Sequence, residues 1–416
     1  MNICIAIWNL TKSAGGLGKV ASIICSALVE RGHSLIVVAN SSSVKKESFY
    51  QLPQGTILIN SRWIDTKICR KKIREAILAT RPDIVIAMSV GAAIRWWPHI
   101  MKYSDIPLIL SEHSNPWKIE QEMWNRSERQ LLMTFADSIH LLFPSYRESL
   151  EAHLRERVTI IPNAVSDMIP GNGRCTFANK TVIAVGRLED DVKQFSILIK
   201  AFAEIRHRYP DWKVRIIGGD VDGSEKKYRE LIHQFDLANQ VELRGELGNL
   251  HNEYSNATFL CLPSRYEGFP VTIIEGYDYG LPAIGFRACS GVNELIKDGV
   301  TGLLADDMTK ASLAQCMSIL MDSEAMVGKM GEMARKEARK YRISKICKQW
   351  IELIEKTINA RKRTRGLQRM NKDQELFLRK RYLNETSFVR GLMKEIFSRL
   401  LILTKYNIRK TVVQLD

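Results

Sequence analysis

Two successive series of short apolar segments, separated by helix-length stretches, limit the possible folds of this chain more than any other feature. In roughly the first 160 residues the sequence predicts one helix, Val20–Glu30, and five strands: Ile3–Ile7, His33–Ala39, Asp83–Met88, Leu108–Ser111 and Ile139–Phe143. These runs are apolar on both faces, which is typical of parallel strands that are covered by helices on each side. The pattern therefore predicts an α/β domain built on a doubly wound parallel sheet.

A second series of the same kind begins at Thr181, after a segment from 161 to 179 that is rich in Pro, Gly and Asn. Its predicted strands are Val182–Val185, Val214–Ile217, Phe259–Leu262 and Ala283–Phe286, and its predicted helices are Ile197–His207, Lys226–Phe235 and Val271–Tyr279. Two similar halves predict two Rossmann-like domains that face each other across a cleft, with ligands bound beyond the carboxyl ends of the strands. The predicted units are 1–165, 166–340, a closing helix at 341–360 that packs back toward the first domain, and a tail at 361–416.

The tail at 361–416 carries much of the positive charge. It contains fifteen Lys or Arg against five Asp or Glu, in a chain whose formal charge is +15. Four of its apolar residues recur at four-residue spacing: Phe388, Leu392, Ile396 and Leu400. That spacing predicts a basic amphipathic helix, which would contact an anionic membrane or dock onto protein, and both alternatives stay open. Nucleic acid is not an expected partner, because the sequence contains no known nucleic-acid module.

Three further features limit the class of protein. No run approaches the ~18 apolar residues that a membrane span requires. The N-terminal MNICIAIWNL lacks a basic region and a cleavage site, so we predict a first strand and no signal peptide. The eight cysteines are scattered without metal-ligand spacing, so they are predicted to be buried thiols. We therefore expect a cytoplasmic protein, with the inner face of the cytoplasmic membrane as the surface that the tail would contact.

A glycine-rich segment, Gly15-Gly16-Leu17-Gly18-Lys19-Val20, follows the first predicted strand and opens the first helix. A nucleoside-triphosphate P-loop would need Ser or Thr after the lysine, where this chain has valine. A dinucleotide site would need an acidic residue at the end of the second strand, where the sequence has Asn40. The remaining interpretations are backbone amides that face a diphosphate at the positive end of the helix, and a structural turn.

Two cations follow the first strand of the second domain. Arg187 comes directly after Gly186, and Lys193 lies six residues further on. At the carboxyl end of a strand, a guanidinium fork and a movable ammonium can neutralise a diphosphate. The alternative is a pair of surface charges that are neutralised by the intervening acidic residues at 189–191.

The most informative stretch is Pro263-Ser264-Arg265-Tyr266-Glu267-Gly268-Phe269-Pro270, which follows an apolar strand and precedes a helix that contains Glu275. Gly268 allows a close backbone approach, and Pro270 suits the first turn of a helix. Two carboxylates, one on a loop and one in the adjacent helix, can bind two hydroxyl-bearing parts of one ligand. The alternative for Glu275 is a partner of the helix dipole.

Taken together, these motifs resemble those of the family 4 glycosyltransferases, which are retaining enzymes of the GT-B fold, and in particular the members that build bacterial polysaccharides. The resemblance covers about residues 1 to 355 and includes the linker motif Ile161-Pro162-Asn163-Ala164, Gly291-x-x-Glu294 and Asp298-Gly299-x-x-Gly302. It departs from the family pattern in two places. The loop between Arg187 and Lys193 is one residue longer than usual, and Leu17-Gly18-Lys19 stands where the family commonly has Glu-Arg.

The resemblance implies an acceptor domain at 1–165, a nucleotide-sugar domain at 166–340, and a role for each motif. Arg187 and Lys193 would bind the diphosphate of the sugar donor, with amides from Gly15 and Gly16. Glu267 and the backbone through Gly268, Phe269 and Pro270 would hold the hydroxyls of the transferred sugar, and Glu275 would bind the ribose. His113 would lie near the reacting centre, with a strand-end structural histidine as the alternative. The implied catalytic set is Glu267, His113, Arg187 and Lys193.

The implied reaction moves a hexose or N-acetylhexosamine from a nucleotide diphosphate-sugar, a UDP-sugar, to a glycan or lipid-linked oligosaccharide in surface polysaccharide biosynthesis, such as lipopolysaccharide or capsule. It proceeds with retention of configuration and without a cofactor or metal, because cations stabilise the leaving diphosphate. Asp220-Val221-Asp222 is accordingly interpreted as a polar loop and not as a metal motif. Two alternatives stay open: a sugar-nucleotide epimerase or isomerase of the same fold, and a non-catalytic assembly partner.

Overall fold

The computed structural model describes residues 1–7, 15–40, 52–61, 67–88, 100–101, 104–122, 125–166 and 177–363. Within these ranges, all the strands are parallel and lie in two sheets. The strands are β1 Asn2–Ile7, β2 Ser34–Asn40, β3 Ile57–Ser61, β4 Ile84–Met88, β5 Leu108–Ser111, β6 Ser138–Leu141, β7 Val158–Ile160, β8 Thr181–Val185, β9 Lys213–Ile217, β10 Val241–Leu243, β11 Phe259–Leu262, β12 Ala283–Phe286 and β13 Gly302–Ala305.

Helices cover both faces of the two sheets. In the first domain they are Gly15–Val29, Lys67–Ala79, Pro116–Glu122, Arg126–Met133 and Ala152–Arg155. In the second domain they are Asp190–Lys193, Phe195–Ile205, Ser224–Gln234, His251–Ser255, Val271–Asp278, Val292–Leu295, Lys310–Met321 and Glu324–Ala338, and Ile343–Arg363 closes the described chain. The predicted α/β class with two doubly wound sheets is therefore confirmed.

The first sheet has the strand order β3-β2-β1-β4-β5-β6-β7. Its central strands are buried on both faces, as the continuous apolar runs in β1 and β4 predicted. The carboxyl ends of all these strands lie at one edge, because the strands are parallel. The first helix begins at Gly15 beyond the end of β1, and His113 follows the end of β5. Both segments therefore lie at the same edge of the sheet.

The second sheet has the order β10-β9-β8-β11-β12-β13. Strands β8 and β11 are neighbours, with Val182 opposite Phe259. Arg187 follows the end of β8, and the loop that carries Glu267 follows the end of β11. This pairing explains why two motifs far apart in the sequence meet at one edge of the second sheet.

The closing helix, Ile343–Arg363, packs against the first domain. Its apolar side chains form one core cluster with the first sheet and the first helix: Ile346, Cys347, Trp350, Leu353 and Ile354. The hydroxyl of Thr357 also lies 2.8 Å from that of Ser138. The chain passes between the domains twice, near Val165 and near Tyr341. The amide of Val165 donates a hydrogen bond to the carbonyl of Tyr341, and the carbonyl of Val165 accepts one from the amide of Ile343, so the two connections are paired.

The basic amphipathic helix predicted in the tail lies outside the described residues, since the structure describes the chain only as far as 363. The first tail residue, Arg361, lies in the last turn of the closing helix and forms an ion pair of 3.1 Å with Asp105. None of the helices in the described ranges is long and apolar enough to cross a membrane. The cysteines whose side chains are described are buried free thiols.

Candidate active site

Lys193 and Glu267 form an ion pair at the carboxyl edge of the second sheet. The Nζ of Lys193 lies 2.5 Å from Oε1 of Glu267, and both side chains are largely buried. The hydroxyl of Ser264 donates a second hydrogen bond of 2.6 Å to the same carboxylate oxygen. The additional residue between Arg187 and Lys193 is absorbed by the helical turn Asp190–Lys193, which folds the lysine chain back against Gly186. The longer loop therefore still delivers the lysine to the cleft.

Arg187 lies beside this pair and is about half exposed. Its guanidinium pairs with Glu189 at 2.9 Å. The other local acid with described contacts, Asp190, bonds to Ser196 and Lys227, and these bonds help to hold its pKa below the usual value. Of the two cations, only Arg187 is paired with a local acidic residue as the alternative predicted, because Lys193 pairs with Glu267. Arg187 is exposed and is held by this one partly buried carboxylate, so it can exchange the partner for an anionic ligand.

The loop of Glu267 is held from the opposite domain. The buried phenol of Tyr146 donates to the carbonyls of Glu267 and Gly268, at 3.0 and 2.8 Å. Phe269 stacks on Phe143 with ring centroids 5.0 Å apart, so its ring serves the interface between the domains. These contacts were missed by the sequence analysis, because an aromatic residue near position 143 carries no signal of its partner more than 100 residues away.

At Gly268 the backbones of the two domains come into close contact. A Cβ placed on it would lie 2.3 Å from the carbonyl oxygen of His113 and 2.9 Å from Cα of Ser114. Any side chain at this position would therefore force the backbones apart. The predicted close approach at Gly268 is made by the first domain of the same chain.

Glu275 lies in the helix Val271–Asp278, which begins directly after Pro270. Both of its carboxylate oxygens accept hydrogen bonds. Oε1 accepts from the ammonium of Lys19, in the first helix of the first domain, and Oε2 accepts from the phenol of Tyr254 at 3.0 Å. Burial and the adjacent Glu275 carboxylate raise the pKa of the Tyr254 phenol, so it stays protonated as a donor. Next to this cluster is a cavity of about 310 Å³.

His113 is buried, and both of its ring nitrogens face protein atoms. Nε2 lies 2.7 Å from the hydroxyl of Ser111, and Nδ1 lies 3.1 Å from the side-chain oxygen Oδ1 of Asn163. The Ser111 hydroxyl also lies 2.7 Å from Nδ1 of His140, whose Nε2 is 2.7 Å from the carbonyl of Ile161. Burial lowers the pKa of His113 to about 3 and that of His140 to about 4, so both rings are neutral near pH 7.

The neutral ring of His140 has one proton, which Nε2 donates to the carbonyl of Ile161, so its Nδ1 accepts the proton of Ser111. On the other side of the chain, Nδ1 of His113 faces the side-chain oxygen Oδ1 of Asn163. The imidazole of His113 is therefore held by protein contacts on both sides, while its backbone carbonyl faces Gly268 across the cleft.

A buried ion pair supports the same segment. The side chain of Arg129 is fully buried and forms two bonds with Glu112, at 2.9 and 2.5 Å. It also contacts Glu120 at 3.0 Å and the hydroxyl of Ser149 at 3.0 Å. Because Glu112 precedes His113, this pair fixes the backbone that reaches Gly268. The segment Ser111-Glu112-His113-Ser114 alone did not indicate these contacts.

The two remaining predicted features occupy the edges of the cleft. Gly15 and Gly16 open the first helix, and the space around Gly16 is free of other atoms within 4 Å of a placed Cβ. The first amides of that helix have no partner within the helix, which makes its start suited to an anion. Asp220 and Asp222 accept the amides of Gly223 and Ser224, each at 3.0 Å, and so shape the turn before a helix.

Two parallel α/β domains, with carboxylates and cations gathered at the facing strand ends, define the class of GT-B glycosyltransferases. The sequence matches two family models: "Glycosyl transferases group 1" over residues 178–340 and "Glycosyltransferase Family 4" over residues 14–167. The chain belongs to this group 1, or family 4, glycosyltransferase family. The resemblance that the motifs indicated is thereby confirmed.

Two proteins are similar to this chain in sequence, and a third is similar in structure. An uncharacterized glycosyltransferase of Haemophilus influenzae is 23% identical over 348 residues, which cover 82% of this chain and 97% of that protein. A Campylobacter jejuni alpha-1,4-N-acetyl-D-galactosaminyltransferase, whose name specifies a PP-undecaprenol-linked acceptor, is 28% identical across 84% of this chain and 98% of its own. The structure of Anabaena HepE in complex with UDP and glucose superposes with a TM-score of 0.71 at 16% identity, covering 86% of this chain and all of that one.

Proposed function

We propose that this glycosyltransferase moves a hexose or N-acetylhexosamine from a UDP-sugar to a glycan or lipid-linked oligosaccharide in bacterial surface polysaccharide biosynthesis, with retention of configuration. The observation that carries the proposal is the Lys193–Glu267 pair, which lies beside Arg187 at the carboxyl edge of the second sheet. A nucleotide diphosphate-sugar offers both groups that such a pair can bind: phosphates for the cations and sugar hydroxyls for the carboxylate.

In the proposed reaction the bond between the anomeric carbon and the diphosphate oxygen breaks as the acceptor hydroxyl attacks the same face of the sugar. Arg187, Lys193 and the amides at Gly15 and Gly16 stabilise the charge that develops on the leaving diphosphate. The proton of the acceptor hydroxyl leaves with that diphosphate, so no covalent nucleophile is required. We expect no need for a divalent metal, because these cations supply the charge, and activity should therefore survive a chelator.

Glu267 would bind hydroxyls of the transferred sugar, together with the backbone from Gly268 to Pro270. Glu275 would bind the ribose, next to the cavity of about 310 Å³. For His113 we propose that the neutral ring, locked by Ser111 and Asn163, holds its own backbone in place at the reacting end of the cleft.

The acceptor proposal rests on the relatives and on charge. The Campylobacter jejuni relative is named for a lipid-linked acceptor, and the tail at 361–416 is strongly basic. We propose that this tail brings the enzyme to the anionic inner face of the cytoplasmic membrane, where a lipid-linked acceptor would lie.

The first experiment measures protection from thermal unfolding by UDP, GDP, ADP and NAD, for the intact protein and for an Arg187→Ala/Lys193→Ala variant. A ligand at 100 times its dissociation constant should add about 2.7 kcal/mol of stability. We expect protection by UDP that the variant lacks, and proton NMR of the product from the matching UDP-sugar then gives the anomeric configuration. Protection by NAD alone would contradict the proposal.

Two alternatives have distinct results in the same assays. An epimerase or isomerase would convert the UDP-sugar with no acceptor present. A non-catalytic partner would bind nucleotide weakly, and Glu267→Gln would leave glycan synthesis in cells intact. Addition of a chelator to the transfer assay tests the expectation about metals separately.

A further inference from the structure

A second lysine–glutamate pair connects the two domains. Lys19 lies one turn inside the helix Gly15–Val29, and its ammonium bonds to Oε1 of Glu275. The Lys19 side chain is 44% exposed and that of Glu275 is 15% exposed. Since Tyr254 bonds the second oxygen, the carboxylate is held by both domains. The glutamates at 267 and 275 are thus each paired with a lysine, one from the same domain and one from the opposite domain.

The cavity beside this pair has the character of a nucleoside site. Its walls include the stacked rings of Tyr254 and Tyr279, with centroids 5.2 Å apart, and His251, which lies 3.0 Å from the hydroxyl of Tyr279. Among the described residues that line the cavity, Lys19 is the one side chain with a permanent positive charge. Any anionic part of a ligand in this cavity would therefore be drawn to Lys19.

The position of Lys19 on its helix gives the ammonium a second possible partner. It extends from the first turns of the helix Gly15–Val29, close to the positive end of the helix dipole. An ammonium has three donor hydrogens and a flexible stem, so it can turn from Glu275 toward a phosphate without movement of the backbone. The Lys19 side chain is 44% exposed, so solvent screens its side of the pair, and the Tyr254 phenol still bonds the Glu275 carboxylate when the ammonium leaves.

From this arrangement we propose that Lys19 binds the diphosphate of the nucleotide donor from the acceptor domain, and that Glu275 holds it in position until the donor arrives. The inference rests on the proposed function and deepens it, because it names a residue that the sequence motifs did not assign. Lys193 and Lys19 then contact the diphosphate from opposite domains.

Calorimetric titration with UDP and ligand-observed NMR with uridine test this role in the intact chain. The variants are Lys19→Met, Lys19→Arg and, as a matched control, Lys71→Met, an exposed acceptor-domain lysine paired with Glu75 at 3.7 Å. We expect Lys19→Met to weaken UDP binding by about 10- to 100-fold, which is typical of one charged hydrogen bond. Uridine binding should be unchanged, Lys19→Arg should stay within about fivefold of the native affinity, and the control should equal the native chain.

Two results would overturn the inference while leaving the proposed function standing: native UDP affinity in Lys19→Met, or an equal loss of uridine and UDP binding. The second would make Lys19 a support for the nucleoside cavity. If the native chain bound no nucleoside diphosphate at all, the proposed function would fail first, and this role would fail with it.

Discussion

Replacement of Gly268 by alanine should separate the loop that carries Glu267 from the first domain. The added methyl would lie 2.3 Å from the carbonyl oxygen of His113, 2.9 Å from Cα of Ser114 and 3.1 Å from the carbonyl carbon of His113. All three are backbone atoms, so no side-chain rotation relieves the contact. Ordinary contact begins near 3.4 Å, and the loop must therefore move by about 1 Å.

A displacement of that size has separate consequences for stability and for catalysis. Overpacking of this kind costs about 1–3 kcal/mol. A misplacement of about 1 Å at a reacting centre lowers the rate by roughly 100-fold. UDP affinity should change little, because the contacts of Glu275 with Lys19 and Tyr254 lie outside the displaced loop. We therefore expect Gly268→Ala to lose most of its transfer rate and to keep its nucleotide binding.

The assay compares the transfer rate and the calorimetric UDP affinity of Gly268→Ala with those of Gly328→Ala. Gly328 lies inside the helix Glu324–Ala338 with no atom within 4 Å of a placed Cβ, so alanine there should be tolerated and favour the helix. Native activity in Gly268→Ala would refute the argument from backbone contact. A parallel loss of UDP binding would also refute it, because the loop would then support the whole nucleotide site.

Three further substitutions test the network beneath the cleft. Arg129→Met should lower the free energy of unfolding by about 3–5 kcal/mol in denaturant titration, because it leaves the Glu112 carboxylate buried without its partner. His140→Gln should reduce the loss of stability between pH 7 and pH 5 by about 2 kcal/mol, since the unfolded histidine gains a proton below about pH 6.5 while the folded ring, with a pKa of about 4, does not. His113 should contribute a similar loss. Tyr146→Phe should lower kcat about tenfold with unchanged UDP affinity, because two loop carbonyls lose their donor.

Matched controls separate these effects from general destabilisation. Lys71→Met removes an exposed cation and should leave stability near native, in contrast to Arg129→Met. Tyr277→Phe removes a buried hydroxyl whose partners lie within the second domain. The kcat of the Tyr277→Phe variant should therefore exceed the kcat of the Tyr146→Phe variant. Unaltered pH dependence in His140→Gln would mean that the ring is protonated in the folded state. Equal kcat values in the two tyrosine variants would contradict a role for the contact between the domains.

The strands that the sequence predicted and the strands that it missed differ in their place in the sheets. Every predicted strand is central, and the described strands that were missed are the sheet edges: β3, β7, β10 and β13. A central strand is covered on both sides and needs a continuous apolar run. An edge strand is covered less completely and does not need such a run. In β3, for example, Ile57 and Leu58 are 53% and 45% exposed. Periodicity therefore detected the interior of each sheet and not its limits.

The site divides in a similar way. Arg187, Lys193, Glu267 and Glu275 stand at strand ends and a helix start, where the local pattern itself indicates a ligand. Tyr146 and Lys19 act on partners more than 100 residues away in the other domain, and only the folded chain shows those contacts. Side chains that join two domains give no local signal, because the partner can lie anywhere in the sequence.

The closing helix has a consequence for biosynthesis. Ile346, Trp350 and Leu353 complete a core whose other members come from the first sheet and the first helix. During synthesis the apolar surface of the first domain that the closing helix will cover stays exposed until the ribosome has added the whole second domain. The second domain can bury its own core earlier, so the order of completion is the reverse of the order of translation. A nascent chain stopped before 343 should therefore present the first domain to chaperones and proteases, although most of its residues are already made.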